Sequence, residues 1–183
     1  DLPARSGLGS SSSFTVGLIN SLAALKGDKM EPKTLAEEAI RIEQQVIEEH
    51  VGSQDQIWAA YGGINRIDFH KNGGFEVKPA NISSARQEEL LGHLLLYFTG
   101  LSRFASAIAK KQIDNIDNRK KHLNSMAGMV DEALSILQSD SHSLREIGEL
   151  LHESWFLKRE LADNVSTPKV DDFYQAARDA GAI

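Results

Sequence analysis

The order of apolar and polar residues predicts a helix early in the chain, from Phe14 to Lys26. Most positions in this stretch are apolar, which is typical of a buried helix. Gly27 supplies the stop, because glycine readily ends a helix in the left-handed conformation. Serines fill positions 10–13 just before it, and their hydroxyls can accept hydrogen bonds from first-turn amides. The pattern therefore predicts a buried helix with a serine-rich start.

A second helix is predicted from Lys33 to Glu49, with Pro32 at its entry, where proline is well tolerated. A short polar loop follows at 52–55, and a short helical piece then runs through Tyr61. After Gly62-Gly63, two stretches alternate apolar and polar residues, and turn residues separate them. This arrangement predicts a β-hairpin, built from Ile67 and Phe69, the turn Asn72-Gly73, and Phe75 and Val77.

The rest of the chain is predicted to be mostly helical, because apolar residues recur at three- and four-residue spacing. The predicted helices cover about 103–139, 143–163 and 169–180, and a possible strand covers Leu94–Phe98. We expect an α+β fold, with a boundary between two lobes near Lys78–Ser84.

The composition of the chain argues against several classes of function. The chain has 183 residues, 41% hydrophobic and 25% charged, as expected for a globular protein with a proper core. A net charge of −6 with no basic stripe argues against nucleic-acid binding. The absence of cysteine excludes disulfides and thiolate chemistry. We expect no membrane span and a cytoplasmic location. The chain opens without Met into a glycine-rich motif, which suggests a segment of a longer polypeptide.

That motif, Pro3 to Ser13, is the first candidate for chemistry. Its two glycines allow a ligand to approach the backbone closely, and its serines stand where a buried helix begins. First-turn amides have no partner within the helix, and the helix dipole adds partial positive charge, so phosphate is the natural occupant. The alternative is a flexible Gly/Ser linker, but such linkers do not normally run directly into an apolar helix.

Glu43 is the second candidate, because its position on the second helix conflicts with its charge. At about 100° per residue, Glu43 falls in the middle of the apolar face formed by Ala36, Ala39, Ile40, Val46 and Ile47. A buried carboxylate needs a partner. A metal ion would serve, and the alternatives are a salt bridge to an Arg or a protonated Glu.

Asp55 is the third candidate. It lies in the polar loop Gly52-Ser53-Gln54-Asp55-Gln56 and, taken alone, could be a helix N-cap. Phosphoryl transfer, however, requires a phosphate cradle, a magnesium site and a group that orients the attacking hydroxyl. Together with the glycine-serine motif and Glu43, Asp55 becomes a candidate base for such a reaction.

These segments resemble the galactokinase–homoserine kinase–mevalonate kinase–phosphomevalonate kinase (GHMP) superfamily. Pro3 to Ser11 is similar to its phosphate-binding signature P-x-x-x-G-L-G-S-S, and residues 52–56 resemble the loop that carries the catalytic aspartate in galactokinase-type members. The resemblance implies ATP and Mg²⁺ as cofactors and Asp55 as the catalytic residue. Metal binding would fall to Glu43 and Ser11, with Ser10 as the less favoured hydroxyl. The ATP phosphates would be bound by Gly7, Leu8, Gly9, Ser10, Ser11 and Ser12.

The resemblance covers nearly the whole chain. It implies part of an N-terminal ATP-binding lobe at residues 1–80 and part of a mostly helical C-terminal lobe at 81–183. Residues 54–56, 61–65 and 151–155, with Lys158, look most like D-glycero-D-manno-heptose 7-phosphate 1-kinases, which phosphorylate an anomeric hydroxyl. The expected partners are ATP and a sugar phosphate, and oligomeric state is left open. Two alternatives stand beside this prediction: a galactose- or fucose-type kinase of the superfamily, and a non-catalytic relative that senses a ligand.

Three further residues are candidates for binding the substrate. Gln54 stands beside Asp55, and Tyr61 follows the same loop, where its ring could line a sugar pocket. Arg103 follows a loop-like segment and could contact a phosphate through its planar guanidinium. Core packing for Tyr61 and a solvated salt bridge for Arg103 are the alternatives.

Overall fold

The computed structural model describes residues 8–100, 119–161 and 165–183. Contacts divide these residues into two compact units, which we describe separately. The first comprises residues 8–79 with Gly100, and the second comprises 80–99, 119–161 and 165–183. That the two units correspond to an ATP-binding lobe and a C-terminal lobe stays a prediction.

Three helices form the core of the first unit: α1 (Ser10–Leu25), α2 (Pro32–Arg41) and α3 (Gln54–Tyr61). They pack against one another, and the centre of the cluster is formed by the buried residues Val16, Leu35 and Ala39. Gly27, at φ 83°, ends α1 as predicted, because the amides of Gly27 and Asp28 bond back to the carbonyls of Ala24 and Ala23.

The second predicted helix changes its hydrogen-bonding pattern before it ends. Its α-helical part stops at Arg41, and Ile42–Val46 forms a π-helical turn in which the amide of Ile47 bonds to the carbonyl of Ile42 at 2.9 Å. The prediction that this helix continues to Glu49 was therefore too long. Single π-helical turns inside helices are frequent at functional sites, and Glu43 lies on this one.

The predicted hairpin is confirmed. Strands β1 (Asn65–Phe69) and β2 (Phe75–Pro79) pair antiparallel, and Ile67 lies opposite Val77. In the turn, Gly73 adopts φ 85°, a conformation that favours glycine, and the side chain of Asn72 accepts a bond from the amide of Gly74.

The second unit is helical throughout most of the part that the structure describes. Its helices are α4 (Ser84–His93), α5 (Lys120–Gln138), α6 (Arg145–Arg159) and α7 (Pro168–Asp179). The last two match the predicted helices at 143–163 and 169–180 to within a few residues. Of the helix predicted at 103–139, the start lies outside the described residues. Helices α5 and α6 pack together, and the side chains of Ile136, Leu144 and Val165 are buried in this unit.

The strand predicted at Leu94–Phe98 is wrong. These residues follow the end of α4 without regular secondary structure, and all five side chains are exposed, Leu95 to 92%. An apolar run is compatible with a strand only where a neighbouring strand can supply hydrogen bonds, and no strand among the described residues pairs with this segment. Among the described helices, none has the length and apolar character needed to cross a lipid bilayer.

Candidate functional site

The glycine-serine motif meets Asp55 at the start of α1. Gly9 precedes the helix with φ 68°, a left-handed conformation that favours glycine. A Cβ atom at Gly9 would lie 3.4 Å from Oδ2 of Asp55, so this carboxylate occupies the space beside Gly9 where a side chain would stand. Two of the three predicted elements therefore lie side by side, although 46 positions of sequence separate Gly9 from Asp55.

The first turn of α1 has backbone amides without a partner inside the helix. The first backbone bond of the helix runs from the amide of Ser13 to the carbonyl of Gly9, at 2.9 Å. In the described part of the chain, no side chain caps the helix start, and α1 begins at Ser10 rather than at Phe14 as predicted. The serines at 10–13 therefore form the first turn of the helix and do not cap it. The amides of Ser10, Ser11 and Ser12 thus precede the first intrahelical bond, and the positive end of the helix dipole lies there. This end of α1 is suited to an anionic ligand.

Glu43 is buried, as its position in the sequence predicted, with 5% of its surface exposed. Its Oε2 atom accepts a hydrogen bond from the hydroxyl of Ser12 at 3.0 Å and a short one from the side-chain amide of Gln56. Its Oε1 atom is buried and has no hydrogen-bond partner among the described residues. Within the same residues, no Lys or Arg forms a salt bridge with Glu43. One oxygen of this carboxylate is therefore held by two donors, and the other is unpartnered.

The start of α3 contributes two neighbouring side chains with different surroundings. Asp55 is exposed, whereas Gln56 is fully buried. While the carboxylate of Asp55 lies beside Gly9, the amide nitrogen of Gln56 donates to Glu43. A single helical turn thus joins the carboxylate beside the glycine motif to the buried carboxylate.

The other predicted residues are less closely connected. Gln54 is exposed at the first position of α3. Tyr61 ends that helix, and burial, together with the charge of Glu37, raises the pKa of its hydroxyl. Leu8 is 36% exposed just before Gly9. Gly7 and Arg103 lie outside the described residues.

Among the serines, the hydroxyl that contacts Glu43 belongs to Ser12 and not to Ser11. Ser11 is exposed, and its carbonyl accepts a bond from the hydroxyl of Thr15 at 3.1 Å. The role of Gln56 was missed from the sequence. The sequence indicated this role only indirectly. A buried Glu43 requires hydrogen-bond donors, and Gln56 lies in the polar loop that was already a candidate.

The oxygen atoms around Glu43 are of the chemical types that bind Mg²⁺. Carboxylate, hydroxyl and amide oxygens are the ligands that hard cations prefer, and Mg²⁺ usually takes one or two carboxylates, with waters and phosphates completing its shell. The unpartnered Oε1 of Glu43 is a buried acceptor that a cation would satisfy. In the described ranges, no group of three or more His, Asp or Glu side chains could bind a metal alone. A cation at Glu43 would therefore bind with other oxygen ligands, such as hydroxyls, waters or the phosphates of a nucleotide.

Comparison with known proteins adds evidence of a different kind. Residues 1–63 match the family described as GHMP kinases N terminal domain. A D-glycero-alpha-D-manno-heptose 7-phosphate kinase from Campylobacter jejuni is 30% identical over 186 residues, which cover all of this chain and 54% of that protein. A bifunctional fucokinase/GDP-fucose pyrophosphorylase from Arabidopsis thaliana is 27% identical and matches 96% of this chain but 17% of its own length.

A solved structure shows a similar fold. The crystal structure of a D-glycero-D-manno-heptose 1-phosphate kinase from Bacteriodes thetaiotaomicron superposes with a TM-score of 0.68 at 27% identity, covering 91% of this chain and 48% of that one. The predicted α+β fold class is thereby confirmed. The chain spans about half the length of both the Campylobacter relative and this structure.

Proposed function

This chain belongs to the GHMP kinase family, and from that premise we propose that it is part of a sugar kinase that transfers the γ-phosphate of ATP to a sugar hydroxyl. The observation that carries the proposal is the position of the Asp55 carboxylate beside Gly9 at the start of α1. It puts a carboxylate, which can accept a proton, near first-turn amides that have no partner inside the helix and can bind phosphate.

In the proposed reaction, the oxygen of the sugar hydroxyl attacks the γ-phosphorus. A new P–O bond forms, the bond between the γ-phosphorus and the β–γ bridging oxygen breaks, and ADP leaves. The hydroxyl proton passes to the carboxylate of Asp55, which is exposed and therefore accessible to a substrate. Phosphoryl transfer depends mainly on positioning and charge stabilisation. These tasks fall to the amides of Ser10, Ser11 and Ser12, with Gly7, Leu8 and Gly9 completing the phosphate loop.

Mg²⁺, when bound with the nucleotide, would neutralise charge on the β- and γ-phosphates. Glu43 would contribute its free Oε1 to the ion, and a serine hydroxyl would assist. Ser12 is the serine whose hydroxyl already contacts Glu43, while Ser11, which the family resemblance favours, stays a candidate. Gln54, Tyr61 and Arg103 are the proposed contacts to the sugar.

As substrate, we propose a heptose 7-phosphate, phosphorylated at its anomeric hydroxyl. Support comes from the 30% identity to the Campylobacter heptose 7-phosphate kinase across the whole of this chain. A fucose-type substrate is the second candidate, because the Arabidopsis fucokinase matches 96% of the chain. A galactose-type substrate and a non-catalytic, ligand-sensing role complete the set of candidates.

The test of the mechanism is Asp55→Asn. The change keeps the size of the side chain but removes the proton acceptor, so we expect turnover to fall by about 10²- to 10⁴-fold while ATP affinity is retained. Asp28→Asn is the control, because Asp28 is an exposed aspartate beyond the end of α1. Unchanged turnover in Asp55→Asn would remove Asp55 from its role.

The substrate is tested by an assay of ADP release with heptose 7-phosphate, fucose and galactose. The proposal expects the heptose phosphate to give the highest kcat/KM. Preference for a plain sugar would overturn the narrower assignment and leave the kinase activity standing. ATP binding without turnover of any sugar would favour the ligand-sensing role.

A further inference from the structure

Two buried side-chain oxygens in the first unit belong to neighbouring side chains, and neither accepts a hydrogen bond from a described residue. They are Oε1 of Glu43 and Oε1 of Gln56, and they belong to two side chains that are joined through the Gln56 amide nitrogen and Oε2 of Glu43. Burial of an unsatisfied polar oxygen is unfavourable, and two in contacting side chains are unusual. Something that offers positive charge or hydrogen-bond donors is needed to satisfy both.

From this pair we infer that Gln56 is a positioning residue for the metal, an inference that rests on the proposed function. Its amide nitrogen fixes Oε2 of Glu43, and its amide oxygen accepts a hydrogen bond from a water bound to the metal. Glu43 then has only Oε1 free for direct coordination. A hydrated cation satisfies both oxygens at once, because Mg²⁺ usually retains several of its waters in proteins.

The hydroxyl of Ser12 strengthens this arrangement. It donates to the same Oε2 atom as Gln56, at 3.0 Å, from the first turn of α1. Two donors on one oxygen, from two helices, restrict the rotation of the carboxylate. Groups that orient a metal ligand in this way commonly change metal affinity by about 10- to 100-fold when they are removed.

Gln56 also links the metal ligand to the proposed base. It follows Asp55 directly in α3, so a shift of Gln56 also moves Asp55, whose carboxylate lies beside Gly9. If Gln56 were purely structural, or held an ordered water without any metal, its replacement would not change the affinity of the protein for divalent cations. Measuring that affinity therefore distinguishes these roles from a role in positioning the metal.

The experiment measures binding of Mn²⁺ to the protein with excess ADP, from the loss of the free Mn²⁺ signal in electron paramagnetic resonance. Gln56→Met preserves approximate size and removes both hydrogen-bonding groups. We expect its dissociation constant for Mn²⁺ to rise by about 10- to 100-fold, and that of Ser12→Ala to rise by a smaller factor, about tenfold. The ADP affinity of Gln56→Met without metal should equal that of the wild type.

Gln44→Met is the matched control. Gln44 lies on the same π-helical turn as Glu43, but its amide donates to the carbonyl of Val51 and the hydroxyl of Ser53. It should lose stability without losing Mn²⁺ affinity. Ser21→Ala serves the same purpose for Ser12, since the hydroxyl of Ser21 bonds to a carbonyl of its own helix.

Gln56→Glu gives a second measurement, which applies even if Gln56→Met does not fold. It puts a second carboxylate against Glu43, so the thermal midpoint should drop without metal and rise on addition of Mn²⁺ by more than in the wild type. Mn²⁺ affinity within about twofold of wild type in Gln56→Met, or equal Mn²⁺ stabilisation of Gln56→Glu and the wild type, would overturn the inference. Failure of the wild type to bind ADP and Mn²⁺ would instead overturn the proposed function.

Discussion

Among the described residues, each of the two compact units buries one charged side chain to the same extent, but the hydrogen bonds of the two side chains are very different. Glu43 in the first unit and Arg86 in the second are both 5% exposed. The guanidinium of Arg86 donates to the carbonyls of Ile136 at 3.0 Å and His142 at 2.6 Å, and it pairs with Glu89 at 2.9 Å. Glu43 has two donors on one oxygen and, within the described part of the chain, none on the other.

The difference shows that burial of a charge does not by itself indicate a functional site. Arg86 ties α4 to carbonyls at and beyond the end of α5, so its charge is used within the fold, and only its Nε lacks a partner among the described residues. Glu43 has one carboxylate oxygen in the interior that no described residue satisfies. A fold gains nothing from an unsatisfied oxygen, whereas a ligand can use it. Substitutions at the two charges and at their neighbours test this contrast.

The largest effect is expected for Glu43→Gln. The amide keeps one oxygen for the donors Ser12 and Gln56 but carries no charge for a metal, so kcat/KM should fall by about 100-fold or more, equivalent to about 3 kcal/mol. Because a neutral side chain is easier to bury, the free energy of unfolding should change by less than about 1 kcal/mol. Kinase assays and urea unfolding measure the two quantities. A large loss of stability with normal activity would make Glu43 a structural residue like Arg86.

Arg86→Met should show the opposite behaviour. The change leaves the carbonyls of Ile136 and His142 without their donor, and we expect the free energy of unfolding to fall by about 2–4 kcal/mol. Urea unfolding checks the value. Arg86→Lys should recover little, because a single ammonium cannot reproduce the planar fork that reaches several acceptors. A loss below about 1 kcal/mol would contradict the structural role assigned to Arg86.

The sequence predicted these elements unequally, for physical reasons. Helices α1, α6 and α7 and the hairpin were predictable because apolar periodicity, glycine stops and the turn Asn72-Gly73 are local signals. The π-helical turn at Ile42–Val46 was not, since a change from α- to π-type bonding leaves no mark on apolar periodicity. The strand at Leu94–Phe98 failed because an apolar run carries no information about a pairing partner.

The residues of the candidate site were also predicted unequally. Glu43 could be found because a charge interrupted an apolar helical face, and Asp55 because it lay in a recognisable loop. Gln56 and Ser12 could not be assigned as partners of Glu43, because hydrogen bonds across 13 and 31 residues depend on how the helices pack. Arg86 was missed altogether, since an isolated arginine in a polar helix looks exposed.

A smaller effect is expected at the start of α4, the helix that carries Arg86. The hydroxyl of Ser83 accepts a bond from the amide of Arg86 at 3.2 Å and caps the helix. Ser83→Ala should lower the free energy of unfolding by about 1 kcal/mol, which urea unfolding measures. Ser84→Ala, one residue further on and without a capping role, should change it by a few tenths of that amount. Equal effects of the two changes would mean that the cap does not help to position Arg86.

The smallest effect concerns the pH dependence of the loop that Arg86 contacts. The hydrogen bond from His142 lowers the pKa of Glu146 below its ordinary value of 4.5; burial opposes this shift, and a bond from the backbone of Ser143 and the charges of His142 and Arg86 assist it. A carboxylate with a lowered folded-state pKa stabilises the fold above the unfolded pKa, and this contribution is lost as the pH falls through the folded value. Glu146→Gln should therefore lower the thermal midpoint slightly near about pH 6 and have no effect in stronger acid.

A double-mutant cycle with His142→Ala sharpens this prediction, because it removes the main cause of the shift. In that background, the change in thermal midpoint caused by Glu146→Gln should become smaller near about pH 6 and should depend less on pH. The side chains of His142 and Glu146 are 45% and 41% exposed, so salt should weaken the effect further. If the change instead persisted undiminished without His142, the carboxylate would be acting mainly through the amide of Ser143 and the charge of Arg86, the other causes of the lowered pKa. The share carried by Arg86 would give the buried charge of the second unit a further partner at the surface, and the contrast with Glu43 would become smaller.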